Sequence, residues 1–288
     1  MTFSLLSWNV GYGGRGEGAF SLYEGTKHRI RTPRRAIAHN IAGIEATLAK
    51  FDHDAILLQE MAGKSFLNRW HDLYAQIQRS HEGKYVHTKA PIFSLPFLPE
   101  GFKNEHSSVS AIRATHSSES QVYWLKAREK YLGCIQRKDA VVVTTIALSR
   151  PLTIMQVHLA AFDTHMHTRR AQLTEICELA KEHHRTGPVI IGGDWNMTLT
   201  NPSLSIERPD LPYLAPFASE LLPEAWRIVC DERVPSIRAG QRPWGKSPVT
   251  AVVDGFVVSP DVSVRSVRTH NLGFRYSDHN PVELIVEH

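Results

Sequence analysis

Cysteine is scarce in this chain. Cys134, Cys177 and Cys230 stand far apart and are odd in number, which excludes both a disulfide framework and the paired spacing of a zinc site. That usage makes a reducing, cytoplasmic setting the expectation. No apolar run approaches the roughly 20 residues needed to cross a bilayer. The opening MTFSLLSWNV has no basic stretch and no clear cleavage site, so it reads as a first strand and not as a signal peptide. Repeats and linker-like stretches are also missing, and residues 1–288 read as a single domain. There is no large excess of either charge: the net charge is +4 and the isoelectric point about 9.0, which favours an anionic partner only slightly. Nothing implies a protein partner, and a monomer is expected.

What is present is ordinary globular material, 42% hydrophobic and 22% charged. Phe3 to Asn9 and Asp54 to Glu60 read as strands ending in polar residues. Between them Pro33 opens a helix reaching about Phe51, with Ala36, Ile37, Asn40, Ile41, Ile44 and Leu48 on one face. Ala140 to Leu148 and Leu152 to Leu159 flank the short turn SRP, so they pair antiparallel. Arg169 to His184 is a second helix, and VIIGGD follows as a strand after Gly187-Pro188. Ala251 to Ser259, Val262 to Arg268 and Pro281 to Glu287 make a strand-rich C-terminus. Hairpins mixed with strand–helix–strand units predict an α/β fold with helices packed outside sheets. Two regions read as long irregular loops, about 11–32 and 91–138.

Strand ends carry the chemistry. Asn9 closes the first strand and Glu60 the second; His158 lies near the end of LTIMQVHL; Asp194 and Asn196 follow VIIGG. Asp254 sits inside an apolar run, where an unpaired carboxylate costs several kcal/mol. Asp278 and His279 precede the last strand. Strand ends of one sheet face converge in space, and rigid scaffolds build sites there. Glu60, with Asp278, Asn9 or both, offers hard oxygen ligands suited to Mg²⁺ or Mn²⁺. A histidine paired with a carboxylate can orient or activate, and Asp194 with Asn196 sets an acid beside an amide. The set suits in-line attack of water on a phosphoryl group. His165 and His167 read as loop histidines, and His183 and His184 as complements to a helix C-terminus.

These residues also carry a resemblance. SWN, LLQE, VHL followed by RRAQL, GGDWN, VVDGFVVS and SDHNPV occur in the order found in the endonuclease/exonuclease/phosphatase superfamily of metal-dependent phosphoesterases. The chain resembles that superfamily over nearly its whole length, and with it deoxyribonucleases, AP endonucleases and neutral sphingomyelinases. The resemblance implies a four-layer α/β/β/α sandwich of two packed, mixed, mainly antiparallel sheets. It implies Asn9 and Glu60 in the metal and phosphate shell, Glu60 as principal ligand, and Asp278 helping to hold a metal. Asp194 would orient or deprotonate the water or protonate the leaving group, with Asn196 positioning it. His279, oriented by Asp254, would contact the scissile phosphate, and His158 would donate to a phosphate oxygen. Arg169 would support its helix or reach the phosphate. The general base and the number of metal ions stay open.

The substrate is less defined than the chemistry. The inositol-phosphatase pattern expects an arginine soon after the Asp-x-Asn motif, which GDWNMTLTNPS lacks. Nucleic acid is slightly favoured: Arg15, Lys27, His28, Arg29, Arg31, Arg34 and Arg35 cluster with Tyr12, Phe20 and Tyr23, combining phosphate-binding charge with stacking rings. A phospholipid is the alternative. Phe93, Leu95, Phe97 and Leu98 on a proline-stiffened stretch could enter a membrane interface. A catalytically inactive binding protein of the same fold would lack a site residue, and none is missing.

Overall fold

The computed structural model describes residues 2–17, 32–65, 68–80, 82–88, 90–91, 105–113, 115–131, 135–136, 138–161, 163, 165–200, 215–239 and 249–287. In chain order the elements are β1 (Thr2–Asn9), α1 (Arg34–Leu48), β2 (Ala55–Met61), α2 (Leu73–Ser80), β3 (Lys84–His87), β4 (Ala90–Pro91), β5 (Glu105–Ile112), β6 (Ser118–Trp124), β7 (Lys130–Tyr131), β8 (Ile135–Gln136), β9 (Ala140–Ile146), β10 (Leu152–His158), α3 (His167–His184), β11 (Val189–Asp194), β12 (Arg227–Val229), β13 (Ile237–Ala239), β14 (Val249–Ala251), β15 (Asp254–Val258), β16 (Ser263–Thr269) and β17 (Val282–Glu287). One sheet of seven strands runs β16-β17-β1-β2-β5-β3, with β4 also paired to β5; a second of six runs β12-β15-β11-β10-β9-β6. Among the described residues only β1 with β2 and β10 with β11 are parallel in these sheets; the other pairs are antiparallel.

Period-two alternation sorts the side chains into layers. Leu6 and Trp8 of β1 and Ile56 and Leu58 of β2 pack outward on Ile37, Ile41 and Ile44 of α1 and Leu73 and Ile77 of α2. Phe3, Leu5, Ala55 and Leu57 point the other way, onto Leu152, Ile154, Ile190 and Phe256 of the second sheet. Met155, Val157, Val189 and Ile191 then face Leu173, Ile176 and Ala180 of α3. The result is the expected four-layer sandwich. Gly192 has no room for a side chain, because a Cβ there would lie 2.6 Å from the Phe256 ring on the neighbouring strand and 3.2 Å from Leu57 of the facing sheet. Among the described residues no helix is long and apolar enough to cross a membrane.

Three expectations need correction. The region 91–138 is not a long irregular loop, since it holds β5 and β6. The stretch HSSVSAI masks a strand between β2 and β3 because two of its polar positions are internal: Ser108 and Ser110 are buried, and the Ser110 hydroxyl donates to Gln156 Oε1 at 2.7 Å. The run Ala251 to Ser259 is two strands, not one. The amides of Val253 and Asp254 both donate to Ser236 Oγ at 2.9 Å, which interrupts the ladder and makes Asp254 the first residue of β15. His167 opens α3 and is not a loop residue. Phe93 to Leu98, Lys27 to Arg31, Phe20, Tyr23 and Cys134 lie outside the described residues.

Candidate active site

On the face between the sheets, β1 presents Phe3, Leu5, Ser7 and Asn9, and β10 presents Leu152, Ile154, Gln156 and His158. Each runs from apolar to polar toward its C-terminal end, and β11 does the same through Ile190, Gly192 and Asp194. The transition is hydrogen-bonded: Gln156 Nε2 donates to the Leu58 carbonyl at 2.7 Å, and Gln59 Nε2 to Ser7 Oγ at 3.2 Å. Above this polar belt the register sets His158 beside Asp194 and Asp194 beside Asp254. Three neighbouring strands thus supply three ionisable groups in a row.

The facing sheet closes the array. Asn9 Nδ2 donates to Asp194 Oδ2 at 2.9 Å and lies 3.4 Å from Glu60 Oε1. Alternation would turn Glu60 outward with Leu58. The pairing of β2 with β5 slips between Leu58 and Met61, and Glu60 takes a left-handed φ of 51°. Such a bulge re-aims a side chain at the expense of local strain. His279 Nδ1 meets Asp254 Oδ2 at 2.7 Å, while its Nε2 lies 3.7 Å from Asp194 Oδ2. His158 Nε2 is 3.6 Å from Asp194 and 3.9 Å from Glu60. The turn after β11 holds Asp194 from behind: the Asn196 amide donates to Asp194 Oδ1 at 2.9 Å, with Asn196 itself left-handed at φ 48°. Gly193 lets β10 and β11 pair at this point, since a Cβ there would meet the Val157 carbonyl oxygen at 1.9 Å.

Burial changes the acidities. Asp194, 1% exposed, is pushed up to about 7 by burial and by Asp254, against the lowering pull of His279, Asn9 and the Asn196 amide. Burial lowers His279, but Asp254 and Asp194 outweigh it and raise the imidazole to about 10. The imidazolium therefore persists at neutral pH between two acids, one of which sits near its own midpoint.

Asn9, Glu60, His158, Asp194, Asp254 and His279 converge, with Asn196 behind Asp194. Asp278 joins through Arg15, whose Nη1 is 3.3 Å from Asp278 Oδ2 and whose Nε is 3.5 Å from Glu60 Oε2. Arg169 is set apart from a phosphate-reaching position. It is fully buried, and its guanidinium donates to the carbonyls of Asn196 and Asp163. There it ties the turn after β11 to the segment before α3. Sequence reasoning counted Arg15 only among the basic residues. It missed Ser277, whose hydroxyl donates to the Asn9 carbonyl at 2.7 Å, and Trp8, whose indole donates to the His279 carbonyl at 2.9 Å; the only sequence signal for either is its place inside the motifs SDH and SWN.

Two groups could hold a cation. Asp194, Asp254 and His279 each bring a ligand atom within 4.8 Å of the others. A protonated imidazole has no lone pair to give, however. Glu60 and Asp278 form a hard-oxygen set that already converges on one positive charge, the Arg15 guanidinium, while Asn9 turns its Nδ2 toward Glu60. That set fits a divalent ion.

Fold and site together define an α/β/β/α sandwich with an acid–histidine–amide cluster between its sheets. The chain belongs to the Endonuclease/Exonuclease/phosphatase family, whose profile matches residues 6–279. No curated protein matches it in sequence. Its fold is similar to that of an endonuclease/exonuclease/phosphatase from Beutenbergia cavernae, at 16% identity and a TM-score of 0.64, covering 99% of this chain and 71% of that one. It is similar to TDP2 from D. rerio complexed with a single-strand DNA product, at 16% identity and 0.62, covering 100% and 99%. A truncated Caenorhabditis elegans TDP2 matches at 12% identity and 0.61, covering 100% and 98%. The family's name spans enzymes that open phosphoester bonds, and the chain falls within that hydrolase class.

Proposed function

We propose that this protein is a divalent-metal-dependent phosphodiesterase that hydrolyses its substrate by in-line attack of water, with nucleic acid the favoured substrate. The observation that carries the reading is the array Asn9–Asp194–His279–Asp254, in which an acid near its midpoint at neutral pH faces a fixed imidazolium. Asp254 holds Nδ1, so the Nε2–H of His279 donates into the cleft and stabilises negative charge developing on a phosphoryl oxygen. Asn9 and the Asn196 amide hold the two oxygens of Asp194 in a set direction. Asp194 can then take a proton from the attacking water or give one to the leaving oxygen. His158 adds a donor from the other side. A Mg²⁺ or Mn²⁺ ion bound by Glu60 and Asp278, with Asn9 beside them, would supply Lewis-acid stabilisation.

Nucleic acid is favoured by the fold's likeness to a structure that holds a DNA product and by exposed Arg34 and Arg35 on the first turn of α1. The test is a panel of single-stranded DNA, duplex DNA, RNA and sphingomyelin, each assayed with Mg²⁺ and with chelator. Nucleic-acid cleavage that stops in chelator and returns with Mg²⁺ or Mn²⁺ is expected. Full activity in excess chelator would remove the metal from the reading, and cleavage of sphingomyelin alone would remove nucleic acid.

A further inference from the structure

The turn after β1 is built around Arg15. Gly11 is left-handed at φ +50°, and a Cβ on it would lie 2.9 Å from the Arg15 Cβ and 3.2 Å from Asp278 Oδ1. Tyr12 is also left-handed, at φ 46°, and its ring lies 5.5 Å beneath the guanidinium. Non-glycine residues take this conformation at a cost, so it persists where surrounding contacts require it. Asn9 Oδ1 accepts from the Gly11 amide at 3.0 Å and Asn40 Nδ2 donates to the Gly13 carbonyl at 3.2 Å, anchoring the turn at both ends. Its product is a guanidinium aimed between Glu60 and Asp278, with the arginine side chain still 36% exposed.

A guanidinium at this range from both carboxylates stands where an ion shared by them must stand. Two cations cannot share that gap. Without a cation, two carboxylates in a partly buried cleft repel each other. We propose that Arg15 is a built-in counter-ion for the Glu60–Asp278 pair that exchanges with the divalent cation: it neutralises the pair when the metal is absent, is displaced when the metal binds, and then turns its charge toward the anionic substrate. The exposed side of the arginine provides the way out. This inference rests on the metal site of the proposed function.

The experiment measures Mn²⁺ binding by electron paramagnetic resonance without substrate, alongside melting curves with and without Mn²⁺, for wild type, Arg15→Gln and Glu60→Gln. Removing the competing charge should tighten Mn²⁺ binding on the order of tenfold, a modest part of the attraction that charges exert at this range. The same variant should melt below wild type in chelator and regain the difference with Mn²⁺. Unchanged or weaker Mn²⁺ affinity in Arg15→Gln overturns the exchange while leaving the metal site intact. Mn²⁺ binding that survives Glu60→Gln unaltered places the cation elsewhere and overturns both. If Arg15→Gln does not fold, the Arg15 Nε–H signal of ¹⁵N-labelled wild type reads the same event: it should shift with added Mg²⁺, and a signal unmoved at saturation refutes the displacement.

Discussion

Asp194→Asn should raise stability while destroying activity, and the two effects have one cause. Asp194 is 1% exposed, and burial is the main reason its carboxyl stands at about 7 instead of 3.8. Keeping it ionised in the folded state costs on the order of 4 kcal/mol at alkaline pH. The amide is close to isosteric, and its oxygen can keep the bond from Asn9 Nδ2. Its NH₂ then faces the Asn196 amide, so one buried bond is lost, worth about 1–3 kcal/mol. The balance is a gain of about 1–3 kcal/mol at pH 8. The sign follows from proton linkage. A carboxyl whose folded value is raised binds more protons folded than unfolded between about pH 4 and 7, so the wild type loses stability as pH rises through that window. The variant lacks that slope, and its advantage should fade on acidification to pH 4. Denaturant unfolding at pH 4, 6 and 8, paired with turnover, measures both. The rate should fall ~10²–10⁴-fold, the usual worth of general acid–base catalysis. A variant with near-wild-type turnover, or one destabilised equally at every pH, refutes the reasoning.

His279→Ala should do the opposite to stability. It leaves Asp254 and Asp194 buried without their cation, a loss of about 3–5 kcal/mol, read by melting curves at pH 7. Because its folded value is raised to about 10, His279 contributes stability that is fully present below about pH 6.5 and is lost as pH rises toward 10; the variant should lack that decline. Turnover of the Asp194→Asn, His279→Ala double variant should be little below that of the worse single one, since groups acting as a unit are not additive; multiplying losses would separate their roles. Arg169→Met should lower stability by about 2–4 kcal/mol, because two buried carbonyls lose their donor. It should reduce kcat with KM unchanged; a raised, salt-sensitive KM would instead place Arg169 on the substrate phosphate.

The layers and most of the candidate site were legible in the residue pattern. Alternating runs such as Phe3 to Asn9 and Leu152 to His158 set which side chains face inward, because the strand period is two whatever the neighbours are. Their polar C-terminal residues were legible as site candidates for the same reason, and GGDWN and SDHNPV placed Asp194 and His279. Tertiary structure decided what local pattern cannot encode. β5 was hidden because Ser110 is satisfied by Gln156 across the sheets, a bond visible only once both sheets exist. Glu60 points to the outer face by alternation and reaches the cleft through a bulge against β5. Arg169 read as a phosphate ligand or a helix support, and the burial of its guanidinium beneath Asn196 was settled by packing. Arg15 read as one basic residue among seven. Its place between Glu60 and Asp278, which follow it by 45 and 263 residues, depends on strands from both ends of the chain pairing in one sheet, with β1 held between β2 and β17. Local sequence sets the direction of a side chain; only the pairing of distant strands sets what it meets.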